Sequence, residues 1–283
     1  MEKIILSQFK IKILISCCAL AFNACHAENS SSKTNQETST SAAKSNSSSS
    51  NLQKYKTEQI AEFNEPWAIT SLKDGRLLIT ERKGKLQLFD PKTKQKVEVK
   101  GLPKVAYGGQ GGLGDIVLHP QFEQNRQVYI SYAAAGQGGY GAVVARGELD
   151  LSNAQQPQLK NLKTIWQQVP KVQGQGHYAH RLLFGPDDKL WISSGERQKF
   201  DPAQDMQSNL GKILRLNDDG TPASGNPFMN QGEIAKQVWS LGHRNPLGIA
   251  FDHKAQLWVA EMGPKGGDEL NMVVKGDNYG YPF

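Results

Sequence analysis

A hairpin-shaped motif recurs four times along this chain, and this repeat limits the folds available to the sequence more than any other feature. Each copy contains an alternating apolar segment, a polar turn, and a second alternating segment that ends in small residues. The copies are residues 67–82, 113–132, 181–195 and 247–263. One such hairpin cannot bury both of its faces alone, whereas radial stacking of several hairpins buries both. The repeat therefore predicts a β-propeller.

The rest of the chain after residue 55 supports an all-β fold. Short alternations of apolar and polar residues dominate, and Gly, Pro, Asp and Asn bound them, without a long amphipathic helix. The alternative is a sandwich of unrelated hairpins, which the matched turn positions disfavour. At roughly 50 residues per blade, residues 55–283 supply about four to five blades. We therefore expect one incomplete β-propeller domain over residues 55–283.

The first 54 residues have a different composition. Lys3, Lys10 and Lys12 precede an apolar segment at residues 13–22, which is too short to span a bilayer and predicts a signal peptide over residues 1–27. The signal either is cleaved after Ala27 or ends in a lipobox with lipidation at Cys25. A Ser-rich linker follows at residues 28–54, and this tract favours a tethered protein. We expect an exported, periplasmic lipoprotein anchored to the outer membrane, which meets the membrane only through its lipid.

Cysteine and charge exclude further classes. The three cysteines all lie within residues 17–25, so the folded region can form neither a disulfide nor a cysteine-ligated metal site. The formal net charge is +6, but the basic residues are scattered and no run of them reaches five. We therefore expect no nucleic-acid partner. An apolar fraction of 38% excludes a fully disordered chain.

A histidine and a glutamate frame the third repeat. His177 lies in a Gly-rich loop before the repeat's first strand, where it would face the propeller axis, and its ordinary pKa of about 6.5 suits a general base. Glu196 ends the same hairpin, so strand pairing can bring its carboxylate beside His177 and fix the imidazole tautomer. His180 is the neighbouring alternative, but it directly precedes the strand and is expected to pack.

Three other loops lie at the ends of repeat hairpins, so all of them could face one end of the axis. Arg244 and Asn245 occupy a loop whose side chains suit an anionic, carbonyl-bearing ligand, although Arg244 could instead pair with an acidic residue. Residues 261–269 could offer backbone carbonyls and Asp268 to a hard cation such as calcium. Gln110 is the one polar side chain of the Gly-rich loop 108–112.

A series of motifs in a specific order extends these signals along the chain. They are Pro66-Trp-Ala-Ile69, Asp74-Gly-Arg-Leu-Leu-Ile-Thr-Glu-Arg82, Gly109-Gln-Gly-Gly-Leu113, Leu118-His-Pro-Gln-Phe122, Asn209-Leu-Gly-Lys-Ile-Leu-Arg-Leu216, Gly242-His-Arg-Asn-Pro246, Gly266-Gly-Asp-Glu-Leu-Asn271 and Asn278-Tyr-Gly-Tyr-Pro282. From about residue 62 to the last residue, the chain resembles the glucose/sorbosone dehydrogenase family. These proteins are soluble aldose sugar dehydrogenases that use pyrroloquinoline quinone (PQQ).

The resemblance implies a fold, two cofactors and a reaction. It implies a six-bladed propeller with PQQ over the axis and calcium polarising the quinone. The aldose would be oxidised at its anomeric carbon to the lactone, hydride would pass to PQQ, and electrons would continue to a periplasmic acceptor. The family's site residues match this sequence as follows: the general base at His177, its supporting carboxylate at Glu196, PQQ contacts at Arg244, Asn245 and Asp268, a sugar contact at Gln110, and calcium carbonyls at Gly263 and Pro264.

This sequence departs from the family pattern in two places. His180 replaces the usual small residue before the arginine of the histidine loop. Relatives also continue beyond the Tyr-Gly-Tyr-Pro segment, where they supply further basic residues to PQQ, so we expect a C-terminally truncated propeller with weak PQQ binding. Two alternatives therefore remain: a non-catalytic truncated propeller that acts as a binding module, and a calcium-dependent lactonase that would need several carboxylates at the axis.

Overall fold

The structure, a computed structural model, describes residues 57–283. The predicted signal peptide, the lipidation site Cys25 and the linker at residues 28–54 lie outside the described residues. Within residues 57–283, fifteen strands form four antiparallel sheets, which we call blades one to four. No helix in this part of the chain is long and apolar enough to cross a membrane.

Each blade is a simple meander in which consecutive strands pair. Blade one contains β1 (Pro66–Ser71), β2 (Leu77–Glu81), β3 (Lys85–Phe89) and β4 (Lys96–Val99). Blade two contains β5 (Leu113–Leu118), β6 (Gln127–Gly136), β7 (Gly139–Asp150) and β8 (Gln158–Gln167), with the short helix α1 (Phe122–Asn125) between β5 and β6. Blade three contains β9 (Ala179–Phe184), β10 (Leu190–Ser194), β11 (Lys212–Leu216) and β12 (Val238–Leu241), and blade four contains β13 (Pro246–Phe251), β14 (Leu257–Glu261) and β15 (Glu269–Met272).

The four hairpins predicted from the sequence are the first two strands of the four blades. Strand β1 contacts β5, β5 contacts β9, and β9 contacts β13, so the first strands of successive blades lie side by side. This arrangement confirms the predicted all-β propeller architecture, with four blades in the described residues. It also explains why the loops that enter each first strand come together at one end of the blades.

In residues 57–283, the core consists of three apolar clusters, one between each pair of neighbouring blades. Because successive side chains of a strand point to opposite faces, one strand contributes residues to two clusters. On β6, Val128 and Ile130 face blade one, whereas Tyr129 packs towards blade three. On β10, Ile192 packs towards blade two and Trp191 packs towards blade four. Inner blades therefore bury both faces, as the hairpin repeat required.

In blades one and two, a hydroxyl side chain beside the bulge of the first hairpin joins the blade to its neighbour. In blade one, Thr80 accepts a hydrogen bond from Ala68 N at 2.9 Å and donates to Gly114 O in blade two at 2.7 Å. In blade two, Ser131 accepts from Asp115 N at 2.8 Å and donates to His180 O in blade three at 2.7 Å. The bulge leaves one backbone N–H without a partner in the strand ladder. The hydroxyl oxygen accepts this N–H, and the hydroxyl hydrogen bonds to a backbone carbonyl of the next blade.

Candidate active site

The candidate site lies in blades three and four, where the loops before β9 and β13 meet the ends of β10 and β14. The loop before β9 carries His177, and the loop before β13 carries Arg244 and Asn245. Glu196, just after β10, donates its backbone N–H to Arg244 O at 2.9 Å. Asn245 Oδ1 accepts the backbone N–H of Ala179 at 3.1 Å. Blades three and four are therefore tied together at the residues that the sequence singled out.

His177 and Glu196 form a short, buried pair. His177 Nδ1 lies 2.5 Å from Glu196 Oε1, and the second carboxylate oxygen accepts N–H groups from Lys199 and Phe200 at 2.5 and 2.9 Å. Burial would raise the pKa of Glu196, but the hydrogen bonds from His177 and the two backbone donors outweigh it and leave this pKa below its ordinary value. A charged Glu196 assigns the proton of His177 to Nδ1, which leaves Nε2 as the free base.

The backbone around this pair is held in an uncommon conformation. His177 has φ of 48°, Arg197 has φ of 64° and Phe200 has φ of 64°, all in the left-handed region that bulky residues rarely adopt. The buried Arg197 side chain fixes the histidine loop by donating to Gly176 O at 2.7 Å and to Gly174 O at 2.6 Å. Such strain is typical of functional sites, where surrounding contacts over-determine one conformation.

Gln110 connects the second blade to this site. Its Oε1 accepts the backbone N–H of His177 at 2.7 Å, while its own backbone N–H donates to Gln175 O at 2.8 Å. Gln110 is solvent-exposed, whereas His177 is only 3% exposed. His177 is thus less open than its Gly-rich loop predicted, because Glu196 and the loop 108–112 pack around it. The expectation that His177 faces the propeller axis stays a prediction.

Arg244 and Asn245 present two donors that no described residue uses. Arg244 Nη1 donates to Met262 O at 2.9 Å and to Gly263 O at 3.0 Å, but its Nε is buried without a partner. Asn245 Nδ2 is likewise buried and unpaired. An unmet buried donor costs about 1–3 kcal/mol. Among residues 57–283, the Arg244 side chain forms no salt bridge with a carboxylate, so the alternative that it pairs with an acidic residue does not hold here.

A cavity of about 290 Å³ lies beside Arg244, and it includes Glu261, Gly263, Pro264 and Tyr281 in its lining. His177 is not among the lining residues, so the cavity covers the Arg244 side of the site. Gly263 donates its N–H to Asp268 Oδ1 at 3.0 Å, which places Asp268 at the same loop. The structure thus connects every predicted site residue of the described region, from Gln110 to Asp268, although their chemical roles stay predictions.

The donor set fits an anionic, carbonyl-bearing cofactor such as PQQ. A guanidinium Nε and a carboxamide Nδ2 on adjacent residues are free, buried and suited to carboxylate or quinone oxygens. Arg244 and Asn245 would hold the cofactor through these atoms. The unpaired donors would then regain the hydrogen bonds that folding removed from them.

The predicted calcium ligands fit their ion less well than Arg244 and Asn245 fit PQQ. Of the two predicted ligand carbonyls, Gly263 O already accepts from Arg244, and Pro264 O accepts from Gly267 N at 3.0 Å. Calcium takes six to eight oxygen ligands, and a cation at Gly263 O would meet the Arg244 guanidinium. Within residues 57–283 there is no cluster of three or more His, Cys, Asp or Glu side chains that could hold a metal ion. These residues do not form a calcium site by themselves.

His180 packs within the fold, on β9. Its ring stacks on Tyr178 with centroids 5.2 Å apart and meets Trp67 edge-on at 6.0 Å. Burial, together with Arg197, Arg181 and Arg82, lowers the pKa of His180 to about 3, so its imidazole stays neutral. Neither of its ring nitrogens has a hydrogen-bond partner among the described residues.

The sequence reasoning missed two buried groups that support the site. His243 pairs with Glu261 directly beside Arg244, with His243 Nδ1 and Glu261 Oε1 2.9 Å apart. Lys212 is fully buried, and its Nζ donates to Pro202 O, Ala203 O and Leu210 O at 2.7–2.9 Å. Burial lowers the pKa of Lys212 to about 7. Both residues lie in motifs that the sequence analysis quoted, but their burial and their partners were not inferred there.

Comparisons with known proteins agree with the geometry. A family model described as glucose/sorbosone dehydrogenase matches residues 63–283. The chain is 38% identical over 227 residues to aldose sugar dehydrogenase YliI of Escherichia coli, covering 78% of this chain and 60% of that protein. It is 30% identical over 253 residues to quinoprotein glucose dehydrogenase B of Acinetobacter calcoaceticus, covering 79% and 51%.

A solved structure shares the fold at similar identity. The PQQ-bound aldose sugar dehydrogenase from Streptomyces coelicolor superposes with a TM-score of 0.72 at 36% identity, covering 80% of this chain and 65% of that one. The chain therefore spans about half to two thirds of the length of the relatives it matches.

Proposed function

Because this chain belongs to the glucose/sorbosone dehydrogenase family, we propose that it is a PQQ-dependent dehydrogenase that oxidises an aldose at the anomeric carbon to the lactone. The observation that carries the proposal is the buried His177–Glu196 pair joined to Arg244 and Asn245, whose Nε and Nδ2 lack partners among residues 57–283. The named activities of the relatives from Escherichia coli and Acinetobacter calcoaceticus support the substrate class. When bound, PQQ supplies an electrophilic quinone that accepts the hydride.

The residues of this chain would handle the proton of the reaction. Oxidation of the anomeric carbon removes one hydride from carbon and one proton from the hydroxyl. Nε2 of His177 is the free nitrogen of the pair and would take that proton, while the charged Glu196 stabilises the imidazolium that forms. Gln110, which orients the His177 backbone, is exposed and available to a sugar hydroxyl.

Arg244 would serve binding and charge stabilisation. Its guanidinium is anchored by the carbonyls of Met262 and Gly263, so it is preorganised and loses little rotamer freedom when a ligand arrives. Asn245 is fixed through its Oδ1, which leaves Nδ2 directed away from the contact with Ala179. Preorganised donors of this kind favour negative charge that grows during hydride transfer.

Calcium dependence belongs to the proposal, but we assign no step to it. The Gly263 and Pro264 carbonyls already accept hydrogen bonds, so a calcium ion there would need oxygen ligands in addition to these two. A lactonase that holds calcium with several carboxylates gains no support from the described residues. Chelation with EGTA during the assay would test the calcium requirement directly.

Steady-state turnover with PQQ, an aldose and an artificial electron acceptor tests the function. His177→Ala should lower turnover by about 10² to 10⁴, the usual share of a general base, while PQQ still binds. Arg244→Ala should weaken PQQ binding as well as turnover because it removes a charge-assisted contact. The exposed His253 provides a matched control, since His253→Ala should leave both quantities unchanged. Full turnover in His177→Ala would contradict the base assignment.

Location is also part of the proposal. The basic and apolar segments at residues 3–22 and the polar tract at 28–54 support export and tethering through Cys25. In that location the electrons would pass to a periplasmic acceptor.

A further inference from the structure

We propose that Glu261, oriented by His243, is a positioning residue that fixes the backbone of Arg244 and thereby sets the affinity of the site for its anionic cofactor. The inference rests on the proposed function for the identity of that cofactor. It gives Glu261, at the end of β14, and His243, in the loop before β13, a role in holding the Arg244 backbone. Neither Glu261 nor His243 is proposed to touch the substrate.

The carboxylate of Glu261 receives three hydrogen bonds. Oε2 accepts the backbone N–H of Arg244 at 2.7 Å, and Oε1 accepts from His243 Nδ1 at 2.9 Å and from Asn271 Nδ2 at 3.2 Å. These three donors come from a backbone, an imidazole and a side-chain amide, and together they fix the orientation of the carboxylate.

His243 is committed to this contact and sealed from solvent. It is 0% exposed, its Nε2 lies 2.8 Å from the hydroxyl of Ser240, and its ring stacks on Tyr279 with centroids 4.6 Å apart. Ser240, His243 and Glu261 resemble the order of a nucleophile, base and acid, but Ser240 is also fully buried. A substrate cannot reach the hydroxyl, so the chain of contacts orients the carboxylate and does not perform nucleophilic chemistry.

Blade one contains the same device without the cofactor arginine. Register pairs Pro66 with Glu81 in blade one, and Pro246 with Glu261 in blade four. Glu81 accepts the N–H of Asn64, two residues before Pro66, at 2.8 Å, and it accepts Gln87 Nε2 at 3.0 Å. These contacts match those of Glu261 with Arg244 and Asn271. The glutamate is thus a strand-entry clamp, and in blade four the clamped residue is Arg244.

A displaced Arg244 backbone would disturb two parts of the site. The guanidinium would leave the carbonyls of Met262 and Gly263, where it is now anchored. The carbonyl of Arg244 would also move, and that oxygen accepts the N–H of Glu196, the partner of His177. The clamp therefore acts on the cofactor contact first and on the base pair second.

Glu261→Gln and Glu81→Gln form a matched pair for the test. Glutamine keeps the shape but replaces one carboxylate oxygen by an NH₂ group, and the backbone N–H and the other donors approach different oxygens, so one side of the amide would face a donor instead of offering an acceptor. Three quantities are measured on the full chain: hydrogen exchange of the Arg244 amide without any ligand, the melting temperature, and the Kd for PQQ by titration with calcium chloride present. We expect Glu261→Gln to speed Arg244 exchange and to raise the Kd for PQQ, each about tenfold or more. Glu81→Gln should lower the melting temperature by about as much as Glu261→Gln does, but it should leave the Kd for PQQ within about twofold of the unaltered value.

His243→Asn and His243→Phe separate positioning from general stability. Asparagine can place its Nδ2 near the position of the imidazole Nδ1 and donate to Glu261, so it should retain most of the PQQ affinity that His243→Phe loses. Unchanged Arg244 exchange in Glu261→Gln would overturn the inference, as would an equal rise in Kd in Glu81→Gln. If the unaltered chain binds no PQQ, the proposed function fails, whereas the exchange rate of Arg244 still decides the positioning role.

Discussion

Asp115 is the buried charge whose effect on stability can be worked out most fully from the structure. It lies at the junction of blades two and three, where Oδ1 accepts the N–H of Ile116 and Oδ2 accepts the N–H of Leu182, each at 2.9 Å. Burial raises its pKa to about 6 from an ordinary 3.8, against the opposing effect of Arg181, whose Nη1 lies 3.8 Å away. We consider Asp115→Asn, which cannot ionise.

The sign and size follow from linkage. A pKa that is higher in the folded than in the unfolded state stabilises the fold fully below pH 3.8, and this contribution is lost as the pH rises through 6. One pKa unit corresponds to about 1.4 kcal/mol, so the rise in the pKa of Asp115 from 3.8 to about 6 corresponds to a full loss of about 3 kcal/mol in the free energy of unfolding. Most of it falls between pH 4 and 7. The substitution should itself cost about 1–3 kcal/mol at every pH, because the new amide group faces a backbone N–H.

Urea unfolding at a series of pH values measures the effect. The free energy of unfolding of the unaltered protein, minus that of Asp115→Asn, should fall by about 2 to 3 kcal/mol between pH 4 and 7.5. Taking this difference removes the titration of the other carboxylates, which both proteins share. Parallel pH profiles for the two proteins would refute the reasoning, because they would mean that Asp115 is ionised in the folded protein at pH 4.

Three further changes test other features. Ser131→Ala removes the hydroxyl that joins blades two and three and should cost about 1–3 kcal/mol by urea unfolding, whereas the exposed control Ser71→Ala should change stability by less than about 0.5 kcal/mol. Gly195→Ala would push a Cβ against the carbonyl oxygen of His177, so it should lower both the melting temperature and aldose turnover; normal turnover would contradict the tight packing. Cys25→Ala should move the protein from the detergent phase to the aqueous phase, and identical partitioning of both forms would exclude lipidation.

The first hairpin of each blade was predictable because its pattern is strong. Strands such as β2 and β10 are buried on both faces, or nearly so, and their apolar runs end at Gly and Asp turns. The outer strands gave no such signal. Strand β8, Gln158–Gln167, alternates exposed polar residues with few apolar ones, and β4, Lys96–Val99, is short. Edge position rather than propensity makes these segments strands, and edge position is a tertiary property.

The candidate site divides in the same way. His177 and Glu196 could be placed together because they flank one hairpin, so local strand pairing brings them close. Arg244 and Glu261 also flank one hairpin, and the same strand pairing could have indicated their contact. The burial of Lys212, in contrast, depends on carbonyls of a separate loop. Sequence spacing contains no signal for such contacts. The low exposure of His177 was missed for this reason too, because Gln110 of blade two covers its backbone.

Reduction of bound PQQ by an aldose, followed by absorbance without oxygen or any other acceptor, tests the central claim most directly. We expect the unaltered chain to reduce the cofactor when the sugar is added. His177→Gln should bind PQQ with a similar Kd but reduce it about 10² to 10⁴ times more slowly, because the proton acceptor at Nε2 is lost while Arg244 and Asn245 remain. Equal rates in the two proteins, or no PQQ binding by the unaltered chain, would contradict the assignment of this site.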